Sequence, residues 1–394
     1  MIFENTSQKF LNMPHWGYKP VFKGLTGIYF NASFRVLAIG MSGLFIPLFL
    51  LELTKDLSIV FLFYLVTQLI QLALIFPLNK LVSKIGPDWS MALGTIAEII
   101  FLICLFFSSY YPTFIWLASF FAALVVPLYW FPYHLAFTSE CDHKNLGKQI
   151  GIISSINRIV GAFAPFLGGL IITGWGYSPL WLFAVAIMLL SIIPLFVDQY
   201  DKKEKPAKLK NVINGLKGEK FRPFTISFVG VGIEAVIYGI LWPIFVFLSL
   251  KRLDLLGAIS SITLLTSLLL VFWIGKKSGK NSKKLINFGV KISSLNWLIK
   301  AFFTSALWLT IFDVVYKMAS VFVWIPFDVL VYKKAKNNPV EVIMIREISI
   351  RIGILVGIIL SWLVYEFLQS WTLTFAIGSL SMILIGKISE TSSD

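Results

Sequence analysis

Trp130-Phe131-Pro132-Tyr133-His134, then a polar loop, then Ile156-Asn157-Arg158-Ile159, is written a second time as Trp324-Ile325-Pro326-Phe327-Asp328, a loop, and Ser349-Ile350-Arg351-Ile352. In each copy a Trp-x-Pro-aromatic block closes a long apolar run and an arginine stands inside the next one. Outward from these blocks the match continues. Ile46-Pro47-Leu48-Phe49 faces Trp242-Pro243-Ile244-Phe245 at an offset of 196, and Thr67 falls on Thr263 at the same offset. The offset is 194 for Trp130 and Pro132 against Trp324 and Pro326, and 193 for Asn145 and Arg158 against Asn338 and Arg351. Matches of Leu or Ile carry little weight in so apolar a chain. Ordered matches of Trp, Pro, Asn and Arg with so small a drift mark an internal repeat.

The 394 residues are 57% hydrophobic and only 14% charged, beyond the roughly 45–50% apolar and about 25% charged of soluble domains. A helical span needs about 20 apolar residues. About twelve such runs are predicted, at 25–51, 57–79, 89–109, 112–137, 149–173, 177–197, 223–250, 254–275, 285–306, 308–332, 341–365 and 370–386. They are continuously apolar instead of alternating with period two, which excludes a transmembrane β-barrel. The expected fold is an all-α polytopic membrane protein. Residues 1–200 form one six-helix bundle, 201–222 a basic connector and 223–394 a second bundle, parallel to the first because six spans return the chain to its starting side.

A formal charge of +14 suggests nucleic acid in a soluble protein, but its distribution points to a bilayer. Of 34 Lys and Arg, 24 lie in the amino terminus, the even-numbered loops and the carboxyl terminus, three lie on the opposite side, and seven (Arg35, Arg158, Lys291, Lys300, Lys317, Arg346 and Arg351) fall inside spans. By the positive-inside bias both termini are cytoplasmic, in a multi-pass protein of the plasma membrane. The expected partners are therefore the lipid bilayer and a small-molecule substrate, not nucleic acid, and the chain is expected to be a monomer. Residues 1–20 contain no apolar signal core and are expected on the membrane surface. The connector carries a charge run with a surface helix near 209–216. Cys104 and Cys141 give neither a disulfide framework nor metal spacing. No Walker loop, metal-ligand cluster, nucleophile elbow or dinucleotide loop is present, so no ATP-driven or enzymatic role and no cofactor is expected.

Two parallel six-span bundles joined by a long basic connector resemble the major facilitator superfamily of secondary transporters, over essentially the whole chain. The family's signature loop after the second span, Gly-x-Leu-Ala-Asp-Arg-x-Gly-Arg-Arg, survives as Leu81, Lys84 and Gly86. Asn79 stands for the first glycine, Ser83 for the aspartate, and Pro87 and Asp88 for the closing basic pair. Ala164-Pro165-Phe166-Leu167-Gly168-Gly169 is similar to the Gly-Pro-x-x-Gly-Gly of the drug-exporting branch, with one substitution. The resemblance implies alternating access around a central cavity lined by spans 1, 4, 7 and 10 and parts of 2, 5, 8 and 11.

Charges inside spans cost from about 2.5 to above 10 kcal/mol, so each either serves function or pins helices together. Glu347 and Arg351, four residues apart, are expected to pair along one helix face, as are Asp313 and Lys317. Arg158 has Ser154 where Arg351 has Glu347. By the resemblance, Arg158 and Arg351 face each other across the cavity as an anion clamp; the alternative pairs Arg158 with Glu98. Arg35, Asn157, Trp130, Tyr133, Trp324 and Gln68 complete the candidate substrate contacts, with Trp242 and Trp297 as further aromatic walls. Glu234, Glu98 and Asp313, in that order, are candidates for proton coupling. Since third spans face outward in the family, Glu98 has a structural lock as its alternative. His134 and Asp328 occupy equivalent positions and are expected either to link the cytoplasmic ends of spans 4 and 10 as a pH-sensitive gate, or to snorkel at headgroup level.

These readings add up to a transporter of a small organic solute by alternating access, coupled to protons, with export of amphiphilic or anionic compounds as one form. The alternative is a non-transporting sensor or lipid scramblase on the same fold.

Overall fold

A computed structural model describes residues 26–196 and 204–390. The surface segment expected over 1–20 lies outside the described residues. Among those described there is no strand. The membrane helices are α1 (Tyr29–Thr54), α2 (Leu57–Ile85), α3 (Pro87–Ser108), α4 (Phe114–Glu140), α5 (Leu146–Trp175), α6 (Tyr177–Phe196), α7 (Arg222–Leu250), α8 (Leu253–Gly279), α9 (282–300), α10 (Ala306–Ala335), α11 (Pro339–Leu368) and α12 (Trp371–Glu390). All except α9 are long and apolar enough to cross a bilayer. In α9, Lys283, Lys284, Lys291 and Lys300 dilute the apolar run, and non-helical backbone at Asn281 (φ −121°, ψ 21°) separates it from α8. The helix stops at Lys300, short of the expected 306. A connector helix covers Leu209–Lys217, with Leu209, Val212, Ile213 and Leu216 on the i, i+3, i+4, i+7 spacing of one helix face.

Prolines set the internal breaks, because a residue without an N–H leaves a carbonyl one turn back unbonded. α1 passes through a 3₁₀ turn at Gly43–Phe45 and resumes at Ile46 with Pro47 in its first turn. α4 carries a widened π turn at Val126–Trp130, which contains Pro127 and precedes Pro132. α7 carries another at Ile237–Leu241 before Pro243. Such turns gather at functional sites. α5 breaks at Ala162–Phe163 and resumes with Pro165 in its first turn, within its tract of small residues. The repeat also shows in backbone detail: Lys55 and Lys251, offset by 196, both close their helices in the left-handed conformation, at φ 57° and 55°.

Two long seams join the first six helices to the last six. α5 lies against α8 along its length, and only glycine permits the approach. A Cβ on Gly151 would come within 3.1 Å of the Gly275 Cα, and one on Gly169 within 2.7 Å of the Leu253 carbonyl oxygen. The second seam joins α2 to α11, where Phe61 stacks on Trp362 at 6.0 Å between ring centroids. At the end of the molecule that carries the connector, α4 meets α10. At the far end α1 touches α7, and beside that contact a cavity of about 400 Å³ opens between the halves, lined by Phe61, Leu241, Ile244, Ser361, Tyr365 and Trp371 among others.

Candidate functional site

The buried charges sort into four groups, and each is built by several helices. In the first, Arg35 of α1 pairs with Glu98 of α3. Its guanidinium lies 3.5 Å from the Tyr129 ring centroid and 5.7 Å from that of Trp130, and Nη1 donates to Thr95 Oγ1 at 3.4 Å. Tyr129 in turn donates to Asn31 Oδ1 at 2.5 Å, and Asn31 donates to the Ser191 carbonyl at 2.6 Å. With Arg35 only 1% exposed and Glu98 12%, this is a closed set joining α1, α3, α4 and α6. Glu98 therefore partners Arg35, and the alternative of Arg158 with Glu98 is not what forms.

The second group is the seam itself. Arg158, half-buried on α5, donates to Ser267 Oγ on α8. No carboxylate lies within ion-pair distance of it among the described residues. Its charge is felt by Tyr238 of α7 and Lys317 of α10, which places it against the inner face of the second half. Asn157 beside it is half-buried and makes no side-chain hydrogen bond to another described residue. Arg351 crosses the other seam, donating to Gln68 Oε1 at 3.1 Å and Gln71 Oε1 at 3.0 Å on α2. The two arginines thus do not converge on one clamp. They occupy separate seams because α5 and α11 each pack on the opposite half.

The third group lies toward the connector end. Glu347 is shared by Arg351, at 3.6 Å one turn away as the spacing predicts, and by Arg346 on the adjoining residue. Sequence reasoning noted Arg346 only as a charge within a span; its closeness in sequence to Glu347 was the available signal. His134 Nδ1 is 2.7 Å from Tyr332 Oη, and Phe137 packs on the Tyr332 ring at 4.5 Å. The ends of α4 and α10 do meet, but through Tyr332 and not Asp328, which sits one turn earlier on α10. No His134–Asp328 ion pair exists among the described residues; the charged group that acts on Asp328 is Arg346. Tyr133 is buried beside Asp328, whereas Trp324 packs on Phe327 at 5.6 Å.

The fourth group joins α7, α9 and α10. Glu234 of α7 accepts a hydrogen bond from Tyr316 of α10. Asp313, 1% exposed, lies one turn before Lys317 on α10, yet no ion pair joins them among the described residues. Lys300 of α9, Lys317, Thr263 and Trp242 are among the groups around it. Lys317 Nζ sits 4.4 Å from the Tyr238 ring centroid, and Tyr238 stacks on Tyr316 at 4.9 Å. Two of the three proton-coupling candidates, Glu234 and Asp313, therefore share one cluster, while Glu98 stands apart. Lys300 was legible only as a charge within a span, since no local pattern links it to residues on other helices. None of the predicted site residues lines the far-end cavity.

The sequence profile described as Major Facilitator Superfamily matches residues 28–358. No curated protein sequence matches the chain. Among solved structures, the fold is similar to the human organic anion transporter MFSD10 (TETRAN), with a TM-score of 0.72 and 11% identity, over 94% of this chain and 100% of that one. It is also similar to the transporter FucP in its outward conformation, with a TM-score of 0.66 and 12% identity, over 92% of this chain and 97% of that one. The signature remnant at Leu81, Lys84 and Gly86, the twofold helical repeat and the profile match all agree: the chain belongs to the major facilitator superfamily.

Proposed function

We propose that this protein is a proton-coupled secondary transporter of a small organic anion. The observation that carries the reading is Arg158. It is a guanidinium on the seam between the halves whose one hydrogen-bond partner is a neutral hydroxyl, whereas Arg35, Arg346 and Arg351 each already face a carboxylate. A planar fork of donors without a carboxylate partner matches a carboxylate or phosphate on a solute. Lys317 nearby adds to the positive field. The substrate class named for the human protein of similar fold is consistent with this choice.

Glu234 and Asp313 supply the proton-exchanging groups. They lie behind Lys317 and Tyr238, so a negative solute at Arg158 raises their affinity for a proton through the same field. Anion and proton then load together, and the halves rock about the two seams. With the basic connector on the cytoplasmic side, the His134–Tyr332 contact closes the inner mouth and the far-end cavity faces outward.

Reconstituted protein tests this. Uptake of a panel of radiolabelled mono- and dicarboxylates is measured with and without an imposed pH gradient, and again from preloaded vesicles to read export. At least one anion is expected to accumulate against its gradient when the pH gradient is present, and Arg158→Gln is expected to abolish that accumulation. Flux indifferent to both the gradient and Arg158→Gln refutes the proposal.

A further inference from the structure

The far-end cavity opens between the halves, and its volume of about 400 Å³ falls in the range of sites that hold small organic ligands, roughly 300–1,000 Å³. Rings from three helices form its walls: Phe61 of α2, Tyr365 of α11 and Trp371 of α12. Packing holds these rings in place. Phe61 and Tyr365 lie 6.3 Å apart between centroids, and Trp371 sits 5.1 Å from Phe245 behind it. Aliphatic side chains, among them Leu51 of α1 and Leu248 of α7, fill the space between the rings. Among the described residues the lining holds one charged side chain, Lys55, which is exposed at the end of α1. No carboxylate lies within ion-pair distance of Lys55 among the described residues. Of the other two basic residues on this side of the molecule, Arg252 is paired with Asp254, and Lys251, the repeat equivalent of Lys55, does not line the cavity.

An apolar chamber gains affinity by taking apolar surface out of water, and aromatic walls favour a ligand that carries a ring of its own. The single unpaired ammonium decides the sign of charge. An amphipathic cation would meet no counter-charge in this lining, whereas an anionic group placed at Lys55 leaves the rest of the ligand among the rings. We propose that the far-end cavity is a second binding site, separate from Arg158, for an amphipathic organic anion with a ring body and one carboxylate or sulfonate. Its lining comes from α1 and α2 in the first half and from α7, α11 and α12 in the second. A bound anion therefore favours this arrangement of the halves over any that closes the cavity. The site needs neither Arg158 nor a proton, so it stands apart from the transport reading.

Binding of tritiated naphthalenesulfonate, a ring body with one anionic group, tests this by scintillation proximity on the full-length protein in phosphatidylcholine nanodiscs, with empty nanodiscs as background. Saturable binding is expected, and the neutral naphthalenesulfonamide is expected to compete more weakly. Lys55→Gln should weaken binding by up to about fivefold, the worth of an exposed ion pair, and Lys55→Arg should restore it. Leu248→Trp, which puts a larger side chain into the cavity, should weaken binding about tenfold or more, the effect of overpacking. Should that variant fail to fold, Leu51→Trp serves the same purpose. Arg158→Gln is expected to leave binding unchanged. The assignment is overturned by an absence of saturable binding, by binding that ignores Lys55→Gln and the folded tryptophan variants, or by equal competition from the sulfonamide. Displacement by added phosphatidylglycerol overturns it as well, because the cavity would then hold a lipid. Binding lost in Arg158→Gln but not in Lys55→Gln overturns it in favour of the Arg158 site. Retained binding beside flux that ignores Arg158→Gln sinks the transport reading and supports this one.

Discussion

Arg158 donates to Ser267 across the α5–α8 seam, and the repeat-related Arg351 donates to Gln71 across the α2–α11 seam. Offsets of 193 between the arginines and 196 between Gln71 and Ser267 make the two contacts equivalent. The duplication has thus preserved a latch between the halves on each side of the molecule. A second pair repeats with a change of chemistry. Thr67 bonds Ser119 at 2.8 Å in the first half, and their counterparts at offsets of 196 and 194 are Thr263 and Asp313. The carboxylate of the buried cluster stands where the first half keeps a hydroxyl.

The latches should differ in strength. A hydrogen bond to a charged group contributes about 1.5–3 kcal/mol, and Arg351 makes two such bonds to glutamine side chains. Gln68→Ala with Gln71→Ala is expected to lower the thermal unfolding midpoint in detergent more than Ser267→Ala does. An equal or smaller drop would show that the α2–α11 latch does not bear on stability.

Arg35 and Glu98 form an enclosed ion pair. Removing one partner strands a charge, at a cost of about 3–5 kcal/mol. Arg35→Gln and Glu98→Gln are each expected to destabilise strongly, whereas the double replacement recovers much of the loss. Thermal unfolding of the three variants checks this, and a double variant no better than the singles would contradict the pairing.

At the α5–α8 seam, Gly151 and Gly275 pack backbone on backbone, so a Cβ on Gly151 would come within 3.1 Å of the Gly275 Cα and a larger side chain would force the helices apart. Overpacking typically costs about 1–3 kcal/mol, and here it would fall on the packed contact between the halves, which the proposed transport cycle requires to rearrange. Gly151→Val is expected to eliminate flux while leaving helix content, read by circular dichroism, unchanged. Full flux in this variant would show that the seam is looser than described.

Tyr332 contacts His134 where α4 and α10 meet at the connector end, and buried Cys141 belongs to the same cluster. Loss of a hydrogen bond worth about 0.5–1.5 kcal/mol corresponds to roughly a two- to tenfold rise in opening. Tyr332→Phe should therefore accelerate maleimide labelling of Cys141 by that factor. An unchanged labelling rate would remove Tyr332 from the closure.

In the loop between α4 and α5, Asp142 accepts hydrogen bonds from Asn145 Nδ2 at 2.7 Å and the Lys144 N–H at 2.9 Å. Bonds to the charged form, that from Asn145 first, hold its carboxyl below the usual aspartate range. A depressed folded value means stability that is present above the ordinary aspartate pKa and lost as the pH falls through the depressed one. Acidification should loosen residues 141–149 by hydrogen exchange in the wild type. Asp142→Asn should remove that dependence.

Hydrophobic run length, proline position and the order of Trp, Pro, Asn and Arg matches are properties of the chain itself. From them follow the spans other than α9, the repeat and the resemblance to the family. Local spacing also sufficed for Glu347 with Arg351, which lie one turn apart on one helix. Partners on different helices were another matter. Successive residues point about 100° apart around a helix, so which charge faces which depends on the rotation and depth of every neighbouring helix. Only packing decided that Glu98 meets Arg35, that His134 meets Tyr332 a turn beyond Asp328, and that Arg158 and Arg351 lie on separate seams. Packing alone also gathered rings from three helices around the far-end cavity, because the glycine-lined seams and proline-broken helices that set those rotations act across the whole bundle.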